Sequence, residues 1–348
     1  MEYIKGRGAQ FNQPNSFLKN QITQEHTEAI DEPVNLNENT KLFDEYPRNI
    51  VNKVNSPDLG NTHYINPYQG CEHGCVYCYA RNTHQYWGYS AGLDFENKII
   101  VKKNAPQLLE KYFNQKNYQP HVINMAGNTD CYQPAERKLE ITRNLLKIFL
   151  KYGNPVGLIT KNSMILRDLD ILKELARDNL VRVMISVTAS DEEIRRKMEP
   201  RTASYAKRLE VISTLTNAGI PTGVMLAPII PGLTNYEIPA IIKNVAEAGA
   251  LKVAYTMVRL NGEVQHIFRD WLLKNFPDRA AKVWNQIAET HGGKVNDSQW
   301  GRRLKGDGIL ADSIKSIFAA SVKRFMPDRE FPDYNLNAFR PGGNLRLF

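Results

Sequence analysis

The residues of this chain predict an α/β protein built on a parallel sheet, and three observations lead there. Six short apolar runs alternate with longer segments whose apolar residues fall near helical spacing. Glycine closes three of the helical segments, at Gly153, Gly219 and Gly249, where a left-handed residue ends a helix. The loops after the apolar runs collect cysteines and polar residues, as they do when chemistry sits at the C-terminal ends of strands. Strands alternating with helices imply parallel pairing and right-handed crossovers. Two closures remain open on this evidence, an open doubly wound sheet and a barrel. No GxGxxG follows the first strand, which weighs against a dinucleotide-binding sheet.

The elements follow in order. Residues 1–62 are rich in Asn, Gln and charge and predict an extended arm. Within it, Lys5-Gly6-Arg7-Gly8 reads as a solvated basic terminus, or else as a segment reaching over a substrate. The six strands are His63–Pro67, His121–Met125, Val156–Thr160, Val181–Val187, Pro221–Ala227 and Leu251–Met257. Between them lie helices at Arg137–Tyr152, Asp168–Arg177, Tyr205–Asn217 and Tyr236–Ala248. Residues 63–260 thus form the core domain. Residues 261–348 form a helical extension, with one long helix or two over Gln265–His291, interrupted at Pro277. A basic glycine-rich loop, Gly301–Gly308, and an amphipathic helix, Ile309–Arg324, follow, and the last stretch reads as irregular.

Composition excludes several classes. Four cysteines in 348 residues exclude a disulfide-stapled scaffold, and no apolar window is long enough for a membrane span. The first twenty residues lack the apolar core of a secretory signal, so the expected location is the cytoplasm and the cysteines are expected as thiols or metal ligands. Net charge is +8. Residues 1–62 carry 6 Lys/Arg against 9 Asp/Glu, leaving a net of +11 on the remainder. The positive field belongs to the body of the protein and suits a polyanionic partner.

Three of the four cysteines fall within eight residues, Cys71-Glu72-His73-Gly74-Cys75-Val76-Tyr77-Cys78, a CxxxCxxC spacing. Three thiolates this close can grip one metal centre but cannot close a four-coordinate site. Structural zinc takes four ligands and a [4Fe–4S] cluster normally takes four cysteines. Three therefore point to a cluster with one iron left open. The competing readings are a zinc site completed by His73 or Cys131, and buried thiols without metal.

The string INPYQGCEHGCVYCYARNTH, directly after the first strand of a repeated strand–helix chain, resembles the radical SAM superfamily. More narrowly it resembles the branch that groups with spore photoproduct lyase. The resemblance spans about residues 45–260, and the closing LNAFRPGGNLRLF is similar to uncharacterised members of that branch. It implies a partial TIM-type (β/α)6 barrel, a [4Fe–4S] cluster on Cys71, Cys75 and Cys78, and S-adenosylmethionine on the open iron. An electron from a donor such as flavodoxin or ferredoxin would then yield a 5′-deoxyadenosyl radical. It further implies that Tyr77 lies near the adenine and that Thr129 and Asp130 meet the cofactor's amino group. Lys161 falls near its carboxylate, and Ser186 and Thr188 near its ribose or methionine. Met225, Ala227 and Pro228 would cover the adenine. Arg195 and Arg201 are either cofactor contacts or solvated charges. Cys131 is a candidate hydrogen-atom donor or a packed small residue. Photoproduct lyases use a cysteine in this general region, but here it follows the Asp, which sets that activity in question.

For the substrate, Arg302, Arg303 and Lys305 between glycines, with Tyr79, His84, Tyr86, Trp87 and Tyr89, suggest DNA or RNA. A peptide or small metabolite is the alternative, and a zinc-stabilised nucleic-acid-binding module without catalysis is a third. The single cysteine outside the motif excludes a self-contained auxiliary cluster, a frequent companion of peptide maturases.

Overall fold

A computed structural model describes residues 4–17, 40–58 and 60–343. Most of the expected arm, and the last five residues, lie outside the described residues. Ten strands are described: β1 (Lys41–Glu45), β2 (Val51–Ser56), β3 (Gly60–Ile65), β4 (Tyr68–Gln69), β5 (Lys98–Lys102), β6 (Ile123–Met125), β7 (Val156–Thr160), β8 (Val181–Val187), β9 (Thr222–Ile229) and β10 (Lys252–Met257). The large sheet runs β10-β9-β8-β7-β6-β3-β2. From β3 to β10 every pair is parallel, and spatial order equals chain order. A doubly wound sheet reverses its order at a switch point. This one never reverses, so it is the curled half-barrel. The antiparallel strand β2 extends one edge.

The six expected strands are all present, β7 and β8 with the expected bounds and the other four with shifted ends. The region expected as an arm differs more: β1, β2 and the start of β3 lie within residues 40–62. β1 pairs with β5, which also pairs with β4, in a second small sheet. The first of the expected helices also changes. It breaks at Glu140, whose φ is +50°, into Glu136–Leu139 and Ile141–Tyr152. Glu136 is fully buried and accepts from the Thr142 N–H at 3.0 Å, from Tyr68 and from Arg167, which pins the break. Gly153 ends the second helix with φ +63°, as the sequence predicts.

Alternation sorts the strand residues. Val181, Val183, Ile185 and Val187 of β8 are buried against the outer helices, together with Leu145, Leu146 and Phe149. Met184 of β8, Ile159 of β7, Met225 of β9 and Ala254 of β10 fall on the opposite face and stay half-buried. That face lines an open lumen.

The C-terminal region is built into the same body. Val264–Asn275 and Pro277–Glu289 are two helices, the second opened by Pro277. Val264, Phe268 and Trp271 form a core with Cys75, Val76 and Tyr77, directly behind the cysteine loop. Gly308–Phe325 adds Ile314 to the main core and packs Phe318 against Tyr255 of β10, ring centroids 4.5 Å apart and tilted by 47°. The tail then crosses the N-terminal end of the sheet. Arg182 of β8 stands 4.0 Å from the centre of the Tyr334 ring, and a Cβ at Gly223 of β9 would meet the Phe331 ring at 2.7 Å. The narrow end is thus closed and the other end is left for chemistry.

Candidate functional site

The cysteine loop lies beyond β3 and β4, on the C-terminal side of the sheet. Gly74, with φ +69°, turns the chain between the first two cysteines. The Cys71 N–H donates to Phe95 O at 2.8 Å and the Val76 N–H to Met198 O at 3.1 Å, so loops from two sides hold the turn. All three thiols are unpaired; Cys71 and Cys75 are buried and Cys78 is half-buried. Burial raises the Cys71 thiol, with Asp130, Cys75 and Cys78 adding to the effect, and pushes Cys75 up to about 12.

The first segment of the chain is not a solvated terminus. Arg7, Gly8 and Ala9 are buried against the cysteine loop. The N–H groups of Gly8 and Ala9 donate to the Glu96 carboxylate at 3.1 and 2.7 Å. Arg81, fully buried, donates to the same carboxylate at 2.6 Å and to Cys75 O at 2.9 Å. Glu96 therefore ties strap, cysteine loop and Arg81 into one unit. The approach is so close that a Cβ at residue 8 would lie 1.7 Å from Gly74 O.

The structure brings Tyr77, Thr188, Lys161 and Ser186 together and adds two residues that the sequence reading did not select, Glu199 and Arg208. Glu199 and Arg208 are a fully buried ion pair. Tyr77 donates to the Glu199 carboxylate, as does Thr188 at 2.7 Å, and Arg208 donates to Ser186 O at 2.9 Å. Burial would raise the Glu199 carboxyl, but Arg208 and Lys161 outweigh it and hold it at about 2. Burial and Glu199 push Tyr77 well above the usual phenol range. Lys161 lies 6.0 Å from the Tyr77 ring centre, and its ammonium makes no hydrogen bond or ion pair among the described residues. Burial works to lower its pKa, while Cys75, Glu199 and Asp130 raise it. It is a charged group awaiting a partner.

Asp130 and Thr129 are already engaged. Asp130 accepts from the Thr160 hydroxyl at 2.8 Å and from the Lys161 N–H at 2.9 Å, and lies 3.4 Å from His73 Nδ1. Thr129 donates to Tyr68 O at 2.6 Å. Asp130 thus welds the β6 loop to the end of β7 and to the cysteine loop. Arg195 is 4% exposed and bonds the Glu199 carbonyl at 3.0 Å, and Arg201 bonds Gly6 O at 3.0 Å. Neither is a solvated charge.

Cys131 goes elsewhere. It has no exposed surface and belongs to the main hydrophobic core. Of the proposed zinc partners, His73 is clasped by Asp130 and by Asn162 at 3.1 Å, and Cys131 is in the core. Among the described residues no three His, Cys, Asp or Glu side chains converge on one ion. Zinc needs four ligands on one point, whereas cluster cysteines each take a different iron. The donor set fits a cluster and does not fit zinc.

The basic loop is also committed to the fold. Arg302 pairs with Asp297 at 2.8 Å, Arg303 pairs with Asp58 over the Trp300 ring, and Lys305 donates to Tyr255 O at 2.8 Å. These bonds fasten the C-terminal region to β2 and β10. Of the aromatics, His84 is fully buried and Tyr89 half-buried, whereas Tyr79, Tyr86 and Trp87 are exposed. Tyr79 donates to Gly127 O, which fixes its ring between the cysteine loop and the loop after β6.

Known proteins agree with this arrangement. The family model for the radical SAM superfamily matches residues 65–245. The chain is 30% identical over 238 residues to the "Uncharacterized protein Rv2578c" of Mycobacterium tuberculosis, covering 68% of this chain and 70% of that protein. It is 23% identical over 231 residues to the "Radical SAM Nalpha-GlyT isomerase" of Pseudomonas phage M6, covering 65% of this chain and 46% of that one. In fold it is similar to a spore photoproduct lyase complexed with dinucleoside spore photoproduct, with TM-score 0.59 and 17% identity over 82% of this chain and 80% of that chain. Among the described residues no helix is long and apolar enough to cross a membrane. Sequence match and sheet topology converge, and the chain belongs to the radical SAM superfamily, enzymes that work with a [4Fe–4S] cluster and S-adenosylmethionine.

Proposed function

We propose that this radical SAM enzyme acts on nucleic acid, and that Cys71, Cys75 and Cys78 hold its cluster. With Cys131 in the core, the loop would hold the cluster by three thiolates and leave room at it for the amino and carboxylate groups of S-adenosylmethionine. When bound, the two cofactors would supply one-electron cleavage of the S–C5′ bond and so the means to take a hydrogen atom from substrate. The chain's own residues bind, orient and exclude water. Lys161 carries the reading of the cofactor site. Its half-buried ammonium makes no hydrogen bond among the described residues, and the carboxylate of S-adenosylmethionine would supply one. Thr188 and Ser186 belong to the same site, Thr188 through its bond to the Glu199 carboxylate and Ser186 through the Arg208 bond to its carbonyl. Tyr77, locked by Glu199, offers a ring to the adenine. Asp130 and Thr129 position this group through the backbone of Lys161 and Tyr68.

The substrate reading rests on the exposed Tyr79, Tyr86 and Trp87 beside the open end of the sheet, and on the +11 charge of residues 63–348. The dinucleoside bound by the structurally similar lyase supports it by analogy. Flavodoxin or ferredoxin is the proposed reductant. The test uses anaerobic, iron- and sulfide-reconstituted protein. The expectation is about four irons and four sulfides, 5′-deoxyadenosine on reduction with dithionite, and faster turnover with DNA or RNA oligonucleotides. Stimulation by peptide or metabolite extracts alone would replace the substrate class. Absence of iron and of 5′-deoxyadenosine would remove the cofactor assignment.

A further inference from the structure

A cleft of about 410 Å³ opens beside Tyr79, walled by the first segment of the chain, the turn of residues 79–87 and the loop at 261–263. That size is ordinary for a site holding one small ring system. Phe17 and Tyr86 stack across its rim, ring centroids 4.7 Å apart and 21° from parallel, and they are 56% and 75% exposed. Two aromatic rings held flat in solvent serve no core. Tyr79, which lines the cleft, also donates to Gly127 O, so the cleft adjoins the open end of the sheet.

Two polar atoms in the cleft wall lack partners. Gln85 is 5% exposed; its Oε1 accepts from the Ser16 hydroxyl at 2.9 Å and its Nε2 has no partner. Asn261 Oδ1 is also buried and unpaired. The wall is rigid at that point, because Asn82 donates to Asn261 O at 2.8 Å and accepts from the Glu263 N–H at 3.0 Å. Flat rings beside the side-chain amides of Asn82, Gln85 and Asn261 match a heteroaromatic ring with its own donor and acceptor edge. No lysine or arginine lines the cleft, and Glu263 does. A phosphate is therefore unwelcome in it, which separates a base from a phosphorylated metabolite.

We propose that this cleft is a nucleobase subsite, stacking a base that neighbours the reacting nucleotide between Tyr79 and the Phe17–Tyr86 pair. The proposal rests on the nucleic-acid reading above. It places recognition of the flanking base outside the lumen, on the strap and the turn after the cysteine loop.

The experiment uses reconstituted full-length protein and a fluorescein-labelled single-stranded ten-nucleotide DNA, with an RNA of the same sequence as a second arm. A central 2-aminopurine reports stacking by quenching. Wild type is expected to bind and to quench. Tyr86→Ala and Phe17→Ala should each weaken binding roughly tenfold and relieve the quenching, as loss of one base–aromatic stack does. Gln85→Leu should weaken binding as well, and Tyr86→Trp should restore it. The thermal midpoint of Tyr86→Ala should stay at the wild-type level, which separates loss of a stack from loss of fold. If wild type binds and these variants bind and quench equally, the cleft assignment falls while the nucleic-acid reading stands. If wild type binds neither DNA nor RNA, the nucleic-acid reading itself falls. Quenching of the free 2-aminopurine nucleoside but of no oligonucleotide would overturn docking of a strand.

Discussion

Lys161 and Glu199 show how opposite two buried charges can be. Glu199 is saturated by Arg208, Thr188 and Tyr77, and Lys161 has no partner beyond the field of its neighbours. Replacing Lys161 by Met removes an ammonium that Glu199 and Asp130 favour, so the thermal midpoint of cofactor-free protein should not rise. The same variant should bind S-adenosylmethionine roughly tenfold or more weakly in equilibrium dialysis, the worth of a hydrogen bond to a charged group. Unchanged binding would remove Lys161 from the cofactor site. Glu199→Gln should instead cost roughly 3–5 kcal/mol in urea unfolding, since Arg208 is left buried and unpaired. Glu199 titrates at about 2 when folded and near ~4.3 when unfolded. Its folded value is depressed, so its stabilisation is complete above about pH 5 and is lost as pH falls toward 2. The gap between wild type and Glu199→Gln should therefore be constant from pH 7 to 5 and shrink at pH 3.5.

At the scale of elements, the cysteine loop is held by the strap of residues 4–17 and by the helices after β10, both far away in sequence. Gly8 is where strap meets loop. Gly8→Ala forces a methyl group onto the Gly74 carbonyl, and overpacking of this kind costs roughly 1–3 kcal/mol. The expected result is a lower thermal midpoint and less iron retained after anaerobic gel filtration. Wild-type behaviour of Gly8→Ala would show that the strap does not support the loop. The reading of Lys5–Gly8 as solvated goes wrong for a definite reason. Two glycines alternating with two charges look like flexible chain, and the Glu96 carboxylate that receives the N–H groups of Gly8 and Ala9 lies almost ninety positions downstream.

Over the whole molecule, the C-terminal region closes the narrow end of the half-barrel and backs the cysteine loop. The basic loop serves that assembly. Arg302→Ala with Lys305→Ala should lower the thermal midpoint and leave the salt dependence of oligonucleotide binding unchanged. A fall in the slope of log affinity against log salt of about 0.7 per cation on a single strand would return them to phosphate contact. Phe331→Ala, at the sealed end beside Gly223, should cost about 2 kcal/mol, roughly half the penalty of a fully buried phenylalanine. Its cofactor binding should stay intact, because the change lies at the opposite end of the strands from the cysteines.

Six strands, most of the helices between them and three closely spaced thiols are legible in the chain alone. Those signals are local: apolar periodicity, a glycine terminator and an eight-residue motif are each written within one or two turns of chain. Folding sets the unreversed order of the sheet, because strand order is a property of pairing between distant segments. It also separated residues that the sequence treats alike. Asp130 and Cys131 are neighbours, yet one braces the cysteine loop and the other packs in the core, and that follows from which way each side chain points off a loop between β6 and β7. Glu199 and Arg208 do not read as a pair because one follows a short helix, the other lies in the next, and each charge by itself looks solvated. Burial alone distinguishes them, and burial is set by everything packed around them.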